Sequence, residues 1–120
     1  MVGIVRLEGE MRRALTGIAG LRARAERVGV NGNREYNPGW HTALDLQHLL
    51  TVSEAITRSA LERKESRGGH FRDDHPDKDP TYASFNVVLT KGSGGEMQLV
   101  RRPIPAMPDE LKAIVEEQKT

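Results

Sequence analysis

From residue 7 to residue 28 the apolar positions fall at Leu7, Met11, Leu15, Ile18, Leu21 and Ala25. Steps of three and four lay one stripe along a helix. Arg12, Arg13, Arg22, Arg24 and Arg27 lie mostly off that stripe, and Glu8 precedes Arg12 by four positions, the favourable order for an ion pair along a helix. Gly29 and Asn31-Gly32-Asn33 end the pattern. A longer element starts at Asn37-Pro38, where Asn37 supplies an N-cap side chain and Pro38 takes the first helical position, at which a missing N–H is harmless. It is expected to run to about Arg67, closed by Gly68-Gly69 in left-handed backbone, a rod of roughly 45 Å. Leu44, Leu46, Leu49, Leu50, Val52, Ala55, Ile56, Ala60 and Leu61 spread over more than one face of it. So wide an apolar arc belongs to a helix packed on two sides, the central helix of a bundle.

Past Gly69 the pattern changes. Residues 70–81 form a charged loop rich in Asp and Pro, and residues 84–90 and 96–101 are short β-rich runs around Lys91-Gly92-Ser93-Gly94-Gly95. That arrangement predicts a hairpin. Pro103, Pro105 and Pro108 hold the next stretch extended, and a last short helix carries Leu111, Ile114 and Val115 on one side. At the other end Val2, Ile4 and Val5 form an apolar stub that precedes any helix start signal.

The 120 residues suffice for one domain. With 37% hydrophobic and 4% aromatic residues, they supply a modest aliphatic core and too little to bury a large cofactor as well. A net charge of +1, from 18 basic and 17 acidic residues, gives no basic domain of the kind nucleic-acid binders show. The absence of cysteine excludes disulfides, thiolate metal sites, iron–sulfur ligation and a cysteine nucleophile. The longest wholly apolar run is three residues, too short to span a bilayer, and residues 1–5 lack the features of a signal peptide. The expectation is a cytosolic chain, or one held at a membrane through a partner.

Candidate chemistry is sparse. Residues 70–79 contain two imidazoles and four carboxylates, ligand types that divalent cations take. The Gly and closing Glu of a calcium loop are missing, and Arg72 and Lys78 compete for the acids, so the loop reads as salt-bridged and no metal ligand is assigned. His41 and His48 lie two turns apart on the long helix, about 10 Å, too far for joint ligation. Ser59, Ser66, Ser84 and Ser93 have no nucleophile elbow around them. The glycine-rich run at 91–95 lacks both the phosphate-loop order and a following helix, which leaves a hairpin turn. Arg63, Lys64 and Arg67 complement the negative end of the long helix, and the following Gly-Gly-His-Phe-Arg suits close contact with another surface.

The run Arg63-Lys64-Glu65-Ser66-Arg67-Gly68-Gly69-His70, followed by Arg72-Asp73-Asp74-His75-Pro76, resembles a motif of the succinate dehydrogenase and fumarate reductase flavoproteins. Arg34-Glu35-Tyr36-Asn37, Ala43-Leu44-Asp45-Leu46 and Arg102-Pro103-Ile104-Pro105 match other stretches of the same family, and residues 2–6 look like the end of an earlier family helix. The resemblance covers nearly the whole chain and implies the C-terminal part of a longer protein. It implies a mainly α fold: an antiparallel, spectrin-repeat-like helical bundle over residues 1–72, with residues 2–6 the tail of a truncated helix. Residues 73–120 then hold the acidic loop, hairpin and short helix of the same domain. FAD, and the residues that bind it and the substrate, are expected in preceding flavin-binding and capping domains, so no catalytic or cofactor-binding residue is carried over. An iron–sulfur subunit and a membrane anchor are the implied partners, on the inner face of the cell membrane. Arg63, Arg67, His70 and Arg72 are the expected contact with the flavin domain, and Val2, Ile4 and Val5 an exposed patch prone to self-association. L-aspartate oxidases share a similar Glu-Ser-Arg-Gly motif but tend to end soon after the acidic loop, whereas this chain continues through a hairpin and a proline-rich stretch. A free-standing helical interaction module, complete from Met1, is the reading from another class.

Overall fold

The computed structural model describes residues 2–118. It is mainly helical, with three helices and a small antiparallel sheet. In order, the elements are β1 (Val5–Arg6), α1 (Glu8–Ala25), α2 (Pro38–Glu62), β2 (Phe71–Arg72), a 3₁₀ turn at Pro80–Ala83, β3 (Phe85–Lys91), β4 (Met97–Pro103) and α3 (Asp109–Glu117).

The expected start of α2 holds: the Asn37 side chain accepts from the Gly39 N–H, with Pro38 next to it. Two further bonds from Asn37 Nδ2, to the carbonyls of Asn31 and Asn33, tie the preceding loop to this cap. The far end differs. The helix stops at Glu62 rather than Arg67, because Arg63 takes an extended backbone (φ −81, ψ 106). Gly68 does adopt the left-handed region (φ 58), but in a tight turn joining Arg67 and His70 by two backbone bonds of 2.8 and 3.0 Å. The glycine pair therefore folds the chain back instead of capping a helix.

α1 and α2 run antiparallel. Arg22 near the end of α1 bonds Glu54 at 2.9 Å, while Glu8 at its start lies near Arg72, beyond the end of α2. The expected Glu8–Arg12 pair is present at 2.7 Å. Met11, Ala14 and Ile18 are the buried line of α1, so the stripe passes through Ala14, and Leu21 is left about half exposed. α2 buries Leu50, Thr57 and Ala60, and the Thr57 hydroxyl is satisfied by the Ser53 carbonyl at 2.7 Å.

The hairpin β3–β4 pairs Phe85 with Pro103 through Lys91 with Met97 and packs against a second side of α2. Arg101 fastens it there, reaching Glu62 at 2.6 Å and lying over the rings of Tyr82 and Phe85. A third side of α2 stays open, with Leu49, Val52 and Ile56 each more than half exposed. α3 has no buried residue.

A further expectation needs correction. Residues 5–6, expected as the tail of a helix, form a strand that pairs in parallel with Phe71–Arg72, extended by the bond from the Asp73 N–H to the Arg6 carbonyl at 3.0 Å. Backbone partners for Val5 and Arg6 come from across the chain, not from a preceding turn. Of the expected apolar patch, Ile4 is 83% and Val5 54% exposed, whereas Val2 is partly covered.

Candidate functional site: an arginine–carboxylate lock at the helix junction

The last carbonyls of a helix find no partner inside it. At the end of α2 the acceptors are met by side chains from later in the chain. Arg72 Nη1 donates to the Leu61 and Arg63 carbonyls at 3.3 and 3.2 Å, and the Tyr82 hydroxyl donates to that of Glu62 at 3.2 Å. Arg72 is fully buried. Its other edge grips Asp74, Nε to Oδ1 at 2.7 Å and Nη2 to Oδ2 at 2.6 Å. Asp74 Oδ2 also accepts the Glu8 N–H at 3.1 Å, one of the free amides that open α1. The Arg72 guanidinium beside it holds the Asp74 carboxyl well below the usual carboxylate range.

Glu65 is the second buried charge. Arg63 Nη2 reaches Oε1 at 2.8 Å, Arg67 Nε reaches both oxygens at 3.0 and 3.1 Å, and the Asp79 N–H donates to Oε2 at 3.0 Å. The Arg67 bond leads in lowering its pKa to about 2, with Arg63 and the Asp79 amide adding and burial opposing. Ser66, also buried, accepts from the Arg72 N–H and donates to the His75 carbonyl, both at 2.8 Å. Among the described residues no buried side-chain nitrogen or oxygen lacks a partner.

His70 completes the cluster. Arg6 Nη1 lies 2.7 Å from Nδ1, and a guanidinium can only donate, so Nδ1 accepts and the ring proton sits on Nε2. Nε2–H then donates to the Arg63 carbonyl at 3.2 Å. Burial lowers the His70 pKa, the carbonyl bond opposes, and the charges of Arg6, Arg72 and Arg63 lower it further.

The structure thus brings Arg63, Arg67, His70 and Arg72 to one place and employs them internally. Glu8, Glu65, Ser66 and Asp74, not assigned to this contact from the sequence, are partners of the arginines. Nothing in the cluster is poised for catalysis: the two carboxylates are held ionised, and both nitrogens of His70 are engaged. Glu8, Asp74 and His75 offer ligand atoms within 4.8 Å of one another. Arg12 and Arg72 already neutralise those carboxylates at 2.7 and 2.6 Å, so a cation would have to displace guanidinium groups. His41 and His48 are exposed on α2. In the glycine-rich turn, the Glu96 carboxylate lies against Gly92 and Gly94 and accepts from the Gln98 amide at 2.7 Å, the place where a phosphate would have to sit.

Fold and site together define a helical scaffold domain fastened by buried ion pairs. The chain belongs to the fumarate reductase flavoprotein C-terminal family, whose model matches residues 1–114. It is 38% identical over 103 residues to a fumarate reductase flavoprotein subunit of Haemophilus influenzae, a match covering 85% of this chain and 17% of that protein. An L-aspartate oxidase of Yersinia pestis is 40% identical over 77 residues, covering 64% of this chain and 14% of that one. Among solved structures, Mycobacterium smegmatis Sdh1 in complex with UQ1 superimposes with a TM-score of 0.84 and 39% identity, covering 95% of this chain and 20% of that one. The chain therefore spans about a fifth or less of the length of these relatives. They are named flavoproteins in part, yet a flavin dinucleotide needs a glycine-rich turn opening onto a helix N-terminus. The turn at residues 91–95 joins two strands and is filled by Glu96, so the residues present do not fit a flavin.

Proposed function

We propose that the chain is the C-terminal scaffold domain of a flavoprotein that interconverts succinate and fumarate with FAD bound elsewhere. The observation that carries this reading is the reach of the match. Fumarate reductase relatives align over as many as 103 residues, and L-aspartate oxidases over as many as 87. The chain continues past the acidic loop through the hairpin β3–β4, which the Sdh1 likeness, covering 95% of the chain, supports as part of the domain. In this reading electrons pass from the flavin to an iron–sulfur subunit, and a membrane anchor holds the complex at the inner face of the cell membrane. No helix among the described residues is long and apolar enough to cross a membrane. The open side of α2 at Leu49, Val52 and Ile56 receives a helix from the rest of the flavoprotein, completing the spectrin-repeat-like bundle. Arg63, Arg67 and His70, each part exposed, face the flavin-binding and capping domains, and buried Arg72 positions them from behind.

The test is a transplant. This chain replaces the corresponding domain of a succinate-oxidising flavoprotein and, separately, of an L-aspartate oxidase. Retention of flavin and dye reduction by succinate in the first host is the expected result. Recovery only in the L-aspartate oxidase host would transfer the chain to that enzyme.

A further inference from the structure

In the loop before α2, Asn31 stands directly before Gly32, outside any helix or strand, and both residues are exposed. Asparagine is among the chemically labile residues. Among the described residues, neither the Asn31 side-chain amide nor the Gly32 N–H has a hydrogen-bond partner. Gly32 has φ 90, a conformation glycine reaches without steric cost, and no side chain shields its nitrogen. A backbone nitrogen able to act as a nucleophile therefore follows an unheld carboxamide.

The chain's other asparagines, Asn33, Asn37 and Asn86, lack this combination. Asn37 precedes Pro38, which has no N–H to lose, and its carboxamide is engaged at both ends, by Gly39 and by the carbonyls of Asn31 and Asn33. Asn33 accepts from the Glu35 N–H at 3.5 Å and is followed by the long side chain of Arg34. Asn86 lies within β3, paired with Arg102 and followed by β-branched Val87. Of these side chains, Asn31 is the one whose free carboxamide meets an unshielded neighbour.

We propose that Asn31 is a self-modifying site, where aspartate and isoaspartate form without an enzyme and isoaspartate loosens the cap of α2. Hydroxide takes the Gly32 amide proton and the nitrogen attacks Asn31 Cγ. The new N–Cγ bond closes a succinimide ring as the Cγ–Nδ2 bond breaks, and ammonia leaves with a proton drawn from water. Water then opens the imide with no change of oxidation state. Opening at Cγ gives aspartate; opening at the main-chain carbonyl gives isoaspartate, whose backbone is one carbon longer. Asn37 is sensitive to that extra carbon. Its Nδ2 donates to the Asn31 and Asn33 carbonyls, both at 2.9 Å, while its Oδ1 accepts from the Gly39 N–H at 3.0 Å. Isoaspartate turns the first acceptor into a free carboxylate and lengthens the link to the second, so one amide group no longer meets both and the cap loses its support. The reaction draws only on residues 31–37 and water, so it belongs to this segment in a longer chain as well.

Peptide mass mapping of the undenatured full chain, incubated for weeks at mildly alkaline pH, tests this. Asn31 is expected to gain the mass difference between water and ammonia, at a rate that rises with hydroxide, while Asn33, Asn37 and Asn86 stay intact. Labelling by an isoaspartyl methyltransferase is expected to mark the same peptide, and the aged protein to melt at a lower temperature than the fresh one. Asn31→Gln keeps the main-chain carbonyl but would need a larger ring, so it is expected to hold both its mass and its melting temperature. Asn31→Asp adds the charge on an unaltered backbone and, freshly prepared, is expected to melt with the wild type. An Asn31 that stays intact, or converts no faster than Asn33, overturns the site. Aged protein that melts like fresh protein, or fresh Asn31→Asp that melts as low as aged protein, overturns its coupling to the cap.

Discussion

Arg72 and Asp74 form a two-pronged ion pair at 2.7 and 2.6 Å, and each partner spends its remaining capacity on a different helix. Arg72 donates to the Leu61 and Arg63 carbonyls at the end of α2, and Asp74 accepts from the Glu8 N–H at the start of α1. The positive group sits at a negative helix end and the negative group at a positive one, so both macrodipoles favour the pair. This one contact joins the termini of the antiparallel helices.

Removing one partner of a buried pair leaves a charge without compensation, a loss of about 3–5 kcal/mol. Arg72→Met is therefore expected to lower unfolding stability by that order in urea titrations. Arg72→Lys is expected to fall between it and the wild type, since lysine keeps the charge but not the fork. A near-neutral Arg72→Met would remove the lock from this account.

Acid should open the cluster in a defined direction. Glu65 is lowered to about 2 from 4.5, and Asp74 is also lowered, chiefly by Arg67 and Arg72 respectively. The unfolded chain then binds protons that the folded one refuses, so stability is full above about pH 5 and falls as the pH drops toward 2. Glu65→Gln is expected to flatten this slope in urea midpoints measured against pH, at the expense of stability near neutrality.

His70 titrates with the same sign in a higher window. Its folded pKa lies below the ordinary 6.5, principally because the ring is buried. Its contribution is complete above about pH 6.5 and declines below it, as the unfolded ring takes its proton first. Nitrogen-detected NMR is expected to show the Nε2–H tautomer at neutral pH and a midpoint below the ordinary 6.5. A midpoint at or above 6.5 would contradict the Arg6–His70 geometry.

The adjacent glycines should respond differently to alanine. Gly68 has φ 58, where a side chain is strained, whereas a Cβ on Gly69 meets nothing within 4 Å and its φ is not positive. Gly68→Ala is expected to lower stability by about 1–2 kcal/mol, and Gly69→Ala to be close to neutral. Thermal melts of the two variants side by side read the difference.

Much of the secondary structure was legible because its causes are local. Asn37-Pro38 starts α2, steps of three and four mark α1, and the β-rich runs on either side of residues 91–95 form a hairpin, each decided within a few residues. The glycine pair was misread for the same reason. Gly68-Gly69 after a helical pattern signals a helix end, and only the bonds between Arg67 and His70 make it a turn between extended segments. After Glu62 the chain leaves the helix at Arg63, and residues 72–75 close a tight turn through the His75 N–H bond to the Arg72 carbonyl at 3.1 Å. Arg63 and Arg67 then both reach Glu65, and Arg72 meets Asp74 across the turn, a spacing of two that a helix would set on different faces.

The sequence by itself determined where helices and strands begin, the apolar arc of α2, the lack of a dinucleotide cradle and the motif that marks the family. Tertiary structure decided that α2 stops at Glu62, that residues 5–6 are a strand, and that Arg63, Arg67 and Arg72 serve this chain's own Glu65 and Asp74. The division has one physical cause. Capping and periodicity are short-range, whereas burying a charge depends on which partner arrives from elsewhere in the chain. Arg72 meets Glu8, sixty-four positions away in the sequence, only after the helices have packed.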